Sequence, residues 1–195
     1  MKQLVFTILL CLVFSAQSIA QNTQEAISAR AAAYFDRTEK KDWNAVMDML
    51  YPKLFELVTK DEMAEVFKSI DSEGMKMDMK NFALKKISDV VTHEGEKFAL
   101  VEYNVEMNIQ FTSVEYRDAA VQAMIKASFE GLYGTDNVIY NKDDYSFDIK
   151  AARSMFAISE AGKMKWYFIE NDSSQKELTA MLIPEPVIER LLVTN

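Results

Sequence analysis

Fifteen residues constrain this chain more than any others. From Lys97 to Phe111 the period is two, with Ala99, Val101, Tyr103, Val105, Met107, Ile109 and Phe111 at one parity and Glu102, Asn104, Glu106, Asn108 and Gln110 at the other. A period of two is the signature of a strand with one buried and one wet face, and so long a run demands a partner of similar length. The partner expected is Met75 to Ile87, antiparallel and turning back through Thr92-His93-Glu94-Gly95-Glu96. Met75, Met77 and Met79 alternate, but Phe82 and Leu84 have the opposite parity, which predicts a bulge near Lys80-Asn81 and a bend in the sheet. A second hairpin is expected from Tyr145 to Ile158 and Lys163 to Glu170, around Glu160-Ala161-Gly162.

Before the strands the period is helical. Ile27, Ala31, Tyr34 and Phe35 build one apolar stripe on a helix ending near Lys40-Lys41. Asp42 is a plausible N-cap for a second helix, with Trp43, Val46, Met47, Leu50 and Tyr51 inward and Pro52 at its end. A third follows the capping box Thr59-Lys60-Asp61-Glu62, burying Met63, Val66, Phe67 and Ile70 and ending at Gly74. Between the hairpins, Thr112-Ser113-Val114-Glu115 offers a box for an inserted helix with Val121, Met124, Ile125, Ser128 and Leu132 inward. In the tail Ser174 and Glu177 have capping-box spacing, and a short terminal helix runs through Val187, Ile188, Leu191 and Leu192. Helices followed by a long bent antiparallel sheet make an α+β fold.

The N-terminus gives an address. Lys2, the apolar run Leu4 to Phe14 and the small residues Ser18 and Ala20 read as a signal peptide over residues 1–20, leaving residues 21–195 as one exported domain, periplasmic or secreted. The only cysteine, Cys11, lies in that leader; Leu9-Leu10 precede it where a lipoprotein signal has small residues. The remaining 175 residues then hold no disulfide, and a packed core must carry the fold. They keep 21 basic and 30 acidic residues, a charge of −9 with His93 neutral, which leaves no basic stripe for nucleic acid or an anionic membrane.

The pairing of Ala33-Tyr34-Phe35 through Lys41-Asp42-Trp43-Asn44-Ala45-Val46 with Lys163-Met164-Lys165-Trp166-Tyr167-Phe168-Ile169-Glu170 resembles the nuclear transport factor 2-like superfamily. That group is a cone-shaped fold that includes ketosteroid isomerases and polyketide-cyclase-like proteins. The resemblance covers roughly residues 24 to 170, and the helix near 115–133 and the tail after Asp172 depart from its simplest members. It implies a cone that either holds a ligand or, in the enzymes, an Asp/His pair or a tyrosine with buried carboxylates.

The catalytic machinery is mostly absent from the sequence. His93 falls in a polar turn, no cysteine nucleophile remains, and no His/Cys spacing suits a metal. Glu102 and Glu106 read as a solvated face rather than a pair of acids. Arg153 shares parity with Tyr145, Phe147, Ile149 and Met155, and Asn81 with Met75, Met77 and Met79; with Trp43, Tyr51, Phe55 and Tyr103 they are the candidates for a mainly apolar ligand pocket with polar anchors. The expectation is a non-catalytic exported domain without cofactor or metal. It binds a small apolar or weakly acidic molecule or a partner protein, and a homodimer is compatible with it. The alternative is a dehydratase or isomerase using a tyrosine and a buried carboxylate.

Overall fold

The computed structural model describes residues 22–70, 74–163 and 165–193. The leader expected over residues 1–20, with Cys11, lies outside these, as do the junction before Gly74 and Met164. Among the described residues six strands form one antiparallel sheet, β1 (Met75–Ile87), β2 (Val91–His93), β3 (Glu96–Phe111), β4 (Val138–Asn141), β5 (Ser146–Ser159) and β6 (Tyr167–Glu170). Its main order is β1-β3-β5-β4, with β2 beside β3 and β6 beside β5. The fold is α+β, with helices before, within and after the sheet.

The alternation of β3 does what the sequence requires of it. Val101, Tyr103, Val105, Met107, Ile109 and Phe111 are all buried, while Glu102 to Gln110 alternate outward. Phe98 and Leu100 break that polar series and are buried too, because the C-terminal helix α6 (Glu185–Val193) packs on β2 and β3 there. β2 and β3 join through Glu94 and Gly95, both at positive φ, the conformation a two-residue hairpin needs.

The expected bulge is present. Lys80 pairs with Glu106 and Ala83 with Asn104, so Asn81 and Phe82 together oppose Val105 alone. Asn81 takes φ +56°, which a short polar side chain tolerates, and the extra residue returns Phe82 to the core face. A second shift, between Leu84 and Lys86, has no counterpart in the sequence reading.

Helix α1 (22–39) lies on the core face and buries Ile27, Ala31, Tyr34 and Phe35. Phe35 stacks on Phe82 at 4.9 Å and tilts against Tyr103 at 4.9 Å; Tyr34 meets Phe168 at 5.3 Å. Burying each such ring contributes about 1.5–3 kcal/mol. Asp42 caps α2 (Trp43–Met47) by accepting the Ala45 amide. That helix stops four residues sooner than its apolar spacing predicts. Leu50 instead bridges Phe168 of β6, through Tyr51 N–H to Phe168 O at 3.1 Å and Phe168 N–H to Met49 O at 2.9 Å, and Pro52 opens a short 3₁₀ turn. Pairing with the free edge of β6 wins over continuing the helix, and Leu50 and Tyr51 are buried either way.

Helix α3 (Lys60–Ile70) begins with the expected box, Thr59 N–H to Glu62 Oε2 at 2.8 Å and Glu62 N–H to Thr59 Oγ1 at 3.2 Å. Its Val66, expected inside, is exposed. The inserted helix α4 (Ala119–Tyr133) is capped by Asp118 rather than by the Thr112-Ser113 box, whose residues lead into a 3₁₀ turn. Its inward face runs through Gln122, Ile125, Phe129 and Tyr133, with Phe129 edge-on to Phe147 of β5, leaving Met124 and Leu132 in water. Gly134 ends it, and β4 follows, a strand too short to register in the sequence pattern. In the tail Asp172 caps a 3₁₀ turn, and α5 (Lys176–Leu182) starts at Gln175 without a side-chain cap, so the Ser174/Glu177 box does not form. Val187 and Leu191 of α6 dock as expected; Leu192 is exposed.

Candidate functional site

Three strands deliver the polar groups of the core face to one place. Tyr103 on β3 pairs directly with Arg153 on β5, and Met155, two residues further along β5, pairs with Glu170 at the end of β6. All four share the core parity, so the side chains converge under α1. Tyr103 is 4% exposed, and its hydroxyl lies 2.8 Å from both carboxylate oxygens of Glu170, to which it donates. Arg153 Nη2 stands 3.6 Å from Glu170 Oε2 and 3.6 Å from Asp172 Oδ2. The Arg153 and Glu170 side chains are 26% and 30% exposed, so the cluster is half-buried with one open side.

Electrostatics follow from that placement. Burial raises the Glu170 carboxyl above the ordinary range, and the Tyr103 hydrogen bond and the Arg153 charge pull it partly back. Burial and then the Glu170 charge push the Tyr103 phenol far above its usual value, so it acts as a donor and not as a base. Tyr34 is raised for the same two reasons. Burial opposes the Arg153 charge, but Glu170 foremost among its neighbours outweighs that and holds the guanidinium protonated. Asp172 is lowered because Ser174 donates to it through Oγ at 2.7 Å and through its backbone N–H at 2.8 Å.

Beside the cluster opens a cleft of about 580 Å³, walled by Leu100, Tyr103, Tyr133, Ala152, Arg153 and Asp172 among others. Glu102, which the sequence placed on the wet face, also lines it. Of the six candidate ligand residues, the structure brings only Tyr103 and Arg153 together. Asn81 is turned outward by the bulge and donates to Glu106 Oε2 at 2.7 Å on the polar face. Tyr51 is fully buried, with its hydroxyl on Glu96 Oε1 at 3.0 Å. Trp43 is half-buried and stacks on Phe67 of α3 at 4.5 Å, and Phe55 lies beneath the Lys60 ammonium at 5.2 Å. None of these three lines the cleft. His93 ends β2, as its polar surroundings suggested. Glu170 and Asp172 were missed; the available signal was an acid at the parity of the buried Phe168 closing the run Tyr167-Phe168-Ile169.

Among the described residues no group of three or more His, Cys, Asp and Glu is placed to hold a metal ion, and no helix is long and apolar enough to cross a membrane.

No protein-family model matches this sequence, and no curated protein is significantly similar to it. Among solved structures it is similar to an uncharacterized protein with a cystatin-like fold from Caulobacter vibrioides. The two are 10% identical, the likeness covers 83% of this chain and 98% of the other, and the TM-score is 0.34.

Proposed function

We propose that this protein is an exported, non-catalytic binding domain of the nuclear transport factor 2-like type that holds a small, weakly acidic molecule on Arg153. The supporting observation is a half-buried guanidinium beside a cleft whose two ion pairs, at 3.6 Å, are longer than an N–H···O hydrogen bond. A ligand carboxylate can therefore compete with Glu170 and Asp172 for its planar fork of donors, the geometry in which arginine binds acids most strongly. Leu100, Leu132 and Tyr133 supply apolar wall, in keeping with a ligand that is mostly hydrocarbon.

The test is native mass spectrometry of the purified protein and its Arg153→Met variant. The expected result is an acid retained by the first and lost from the second, with the same circular dichroism. Equal retention by both removes Arg153 from the site.

A second reading, an enzyme of the dehydratase or isomerase kind, is favoured by the Tyr103–Glu170 contact at 2.8 Å. Glu170 is then the acid–base group and Tyr103 the donor that orients it. Turnover that survives Tyr103→Phe and Glu170→Gln undiminished excludes that reading.

A further inference from the structure

Arg153 is shared before any ligand arrives. Its Nη2 stands at the same 3.6 Å from Glu170 Oε2 and from Asp172 Oδ2, so two carboxylates divide one guanidinium. Among the described residues the charged side chains lining the cleft are Arg153, Lys85, Glu102 and Asp172, and of these Lys85 and Glu102 are of opposite sign. A third carboxylate brought onto Arg153 therefore adds negative charge to a half-buried place with no cation left to balance it. One resident acid can give way by taking a proton, and the geometry selects which. Asp172 accepts from Ser174 through Oγ at 2.7 Å and through the backbone N–H at 2.8 Å, and these donors hold it ionised. Glu170 lies deeper, where burial already disfavours its charge, and accepts from the Tyr103 hydroxyl at 2.8 Å. The titratable groups that face it are Tyr34 of α1, Tyr103 of β3, Arg153 of β5 and Asp172 just past β6, while Tyr133 of α4 faces Arg153. Both phenols facing Glu170 are pushed far up and stay neutral, so the cation favouring its carboxylate is Arg153, the group a ligand acid would engage.

We infer that a ligand acid enters this site together with one proton, which settles on Glu170. The protonated Glu170 Oε2 then donates to the ligand carboxylate held on Arg153 instead of competing with it, in a short charge-assisted O–H···O bond. The proton comes from solvent, so one anion and one proton are taken up and the charge of the cluster is the same before and after. Tyr103 keeps its place on Glu170, which fixes the carboxyl for that donation. The sign of the pH dependence follows. Above the pH at which the free protein's Glu170 loses its proton, every further unit of pH weakens the ligand by up to about tenfold, until the bound form loses its proton too. The site thus holds acids in acidic surroundings and releases them as the medium turns alkaline. This inference rests on the acid site proposed above and adds its regulation.

Hexanoate and phenylacetate are the probes, titrated by calorimetry from about pH 6, where both are ionised, to about pH 9. Each titration is run in phosphate and in Tris, whose different heats of ionisation report the protons exchanged on binding. The protein is expected to take up close to one proton per ligand, with an affinity that falls by up to about tenfold per pH unit. Glu170→Gln, a neutral stand-in for the protonated acid, is expected to bind without proton uptake and with a flat pH profile, about tenfold or more tighter than the unaltered protein at the alkaline end. The buffer comparison on the unaltered protein is decisive by itself should Glu170→Gln fail to fold. Binding without proton uptake, or uptake that persists in Glu170→Gln, overturns the inference and leaves the acid site standing. Failure of both probes to bind, or binding that Arg153→Met leaves unchanged, overturns the acid site and the inference with it.

Discussion

The two ends of the sheet's core face are covered by different helices and have different chemistry. Under α4, Phe111, Tyr116, Phe129, Tyr140 and Phe147 stack ring on ring, with centroids between 4.8 and 6.0 Å and no acid or guanidinium among them. Under α1 the rings of Phe35, Phe82 and Tyr103 also pack, but Tyr103 carries a hydroxyl to Glu170, and Arg153 stands beside them. Both ends are built from the same two strands, β3 and β5. A packed stack alone stabilises; a packed stack with a half-buried Arg153–Glu170 pair gives up some of that stability to keep charge beside the core.

The largest expected effect tests the first end. Phe147 is fully buried and touches Phe111, Phe129 and Tyr140, so Phe147→Ala is expected to cost about 3–5 kcal/mol in denaturant melts. A loss under about 1 kcal/mol would mean that the α4 end is not core at all. At the other end Tyr103→Phe keeps the ring and removes one hydrogen bond to a partly exposed carboxylate, with an expected loss of about 1 kcal/mol. A loss as large as that of Phe147→Ala would erase the contrast.

pH sharpens it further. The Glu170 carboxyl is raised in the folded protein, so between the ordinary glutamate range and the raised value the native state binds a proton the unfolded chain does not. Its contribution is full below the ordinary value and is lost as pH rises through the folded one, so stability falls with pH across that window. Glu170→Gln is expected to flatten this slope in melts taken across the window, and Phe147→Ala to leave it unchanged. The smallest effect is on the outside of α4. Met124→Ser and Leu132→Ser are expected to change stability by no more than about 0.5 kcal/mol, because both side chains are in water.

What was legible in the sequence depended on how many neighbours had to agree. The alternation of β3, the parity break at Asn81 and the stripe of α1 are each fixed by a single segment's own burial, and all three read correctly. The second helix failed at Leu50, where an edge of β6 more than a hundred residues away offered better backbone partners. The face of α4 failed because packing of Phe129 on Phe147 of β5 turns Gln122, Ile125 and Tyr133 inward in place of Met124 and Leu132. The candidate site depends on the same kind of long-range agreement. Tyr103 and Arg153 were visible by parity and the hairpin of β5 with β6 was expected, but that Glu170 meets them follows only from the exact register, Tyr103 opposite Arg153 and Met155 opposite Glu170. Trp43, Tyr51 and Phe55 look like pocket aromatics in a list, but Trp43 and Phe55 pack against α3 and Tyr51 bonds Glu96 of β3.

Asn81 separates two properties that are fused in most strands, shape and facing. Because Asn81 and Phe82 share one partner, removing Asn81 would leave Lys80 opposite Glu106, Phe82 opposite Val105 and Ala83 opposite Asn104, with every side chain on its present face. A single-residue deletion in β1 away from its two register shifts reverses the facing of everything on one side of it. Position 81, like Lys85 at the second shift, is thus a place where this strand can change length by one without a frameshift, so that the sheet's curve can flatten while the core goes on spelling the same words.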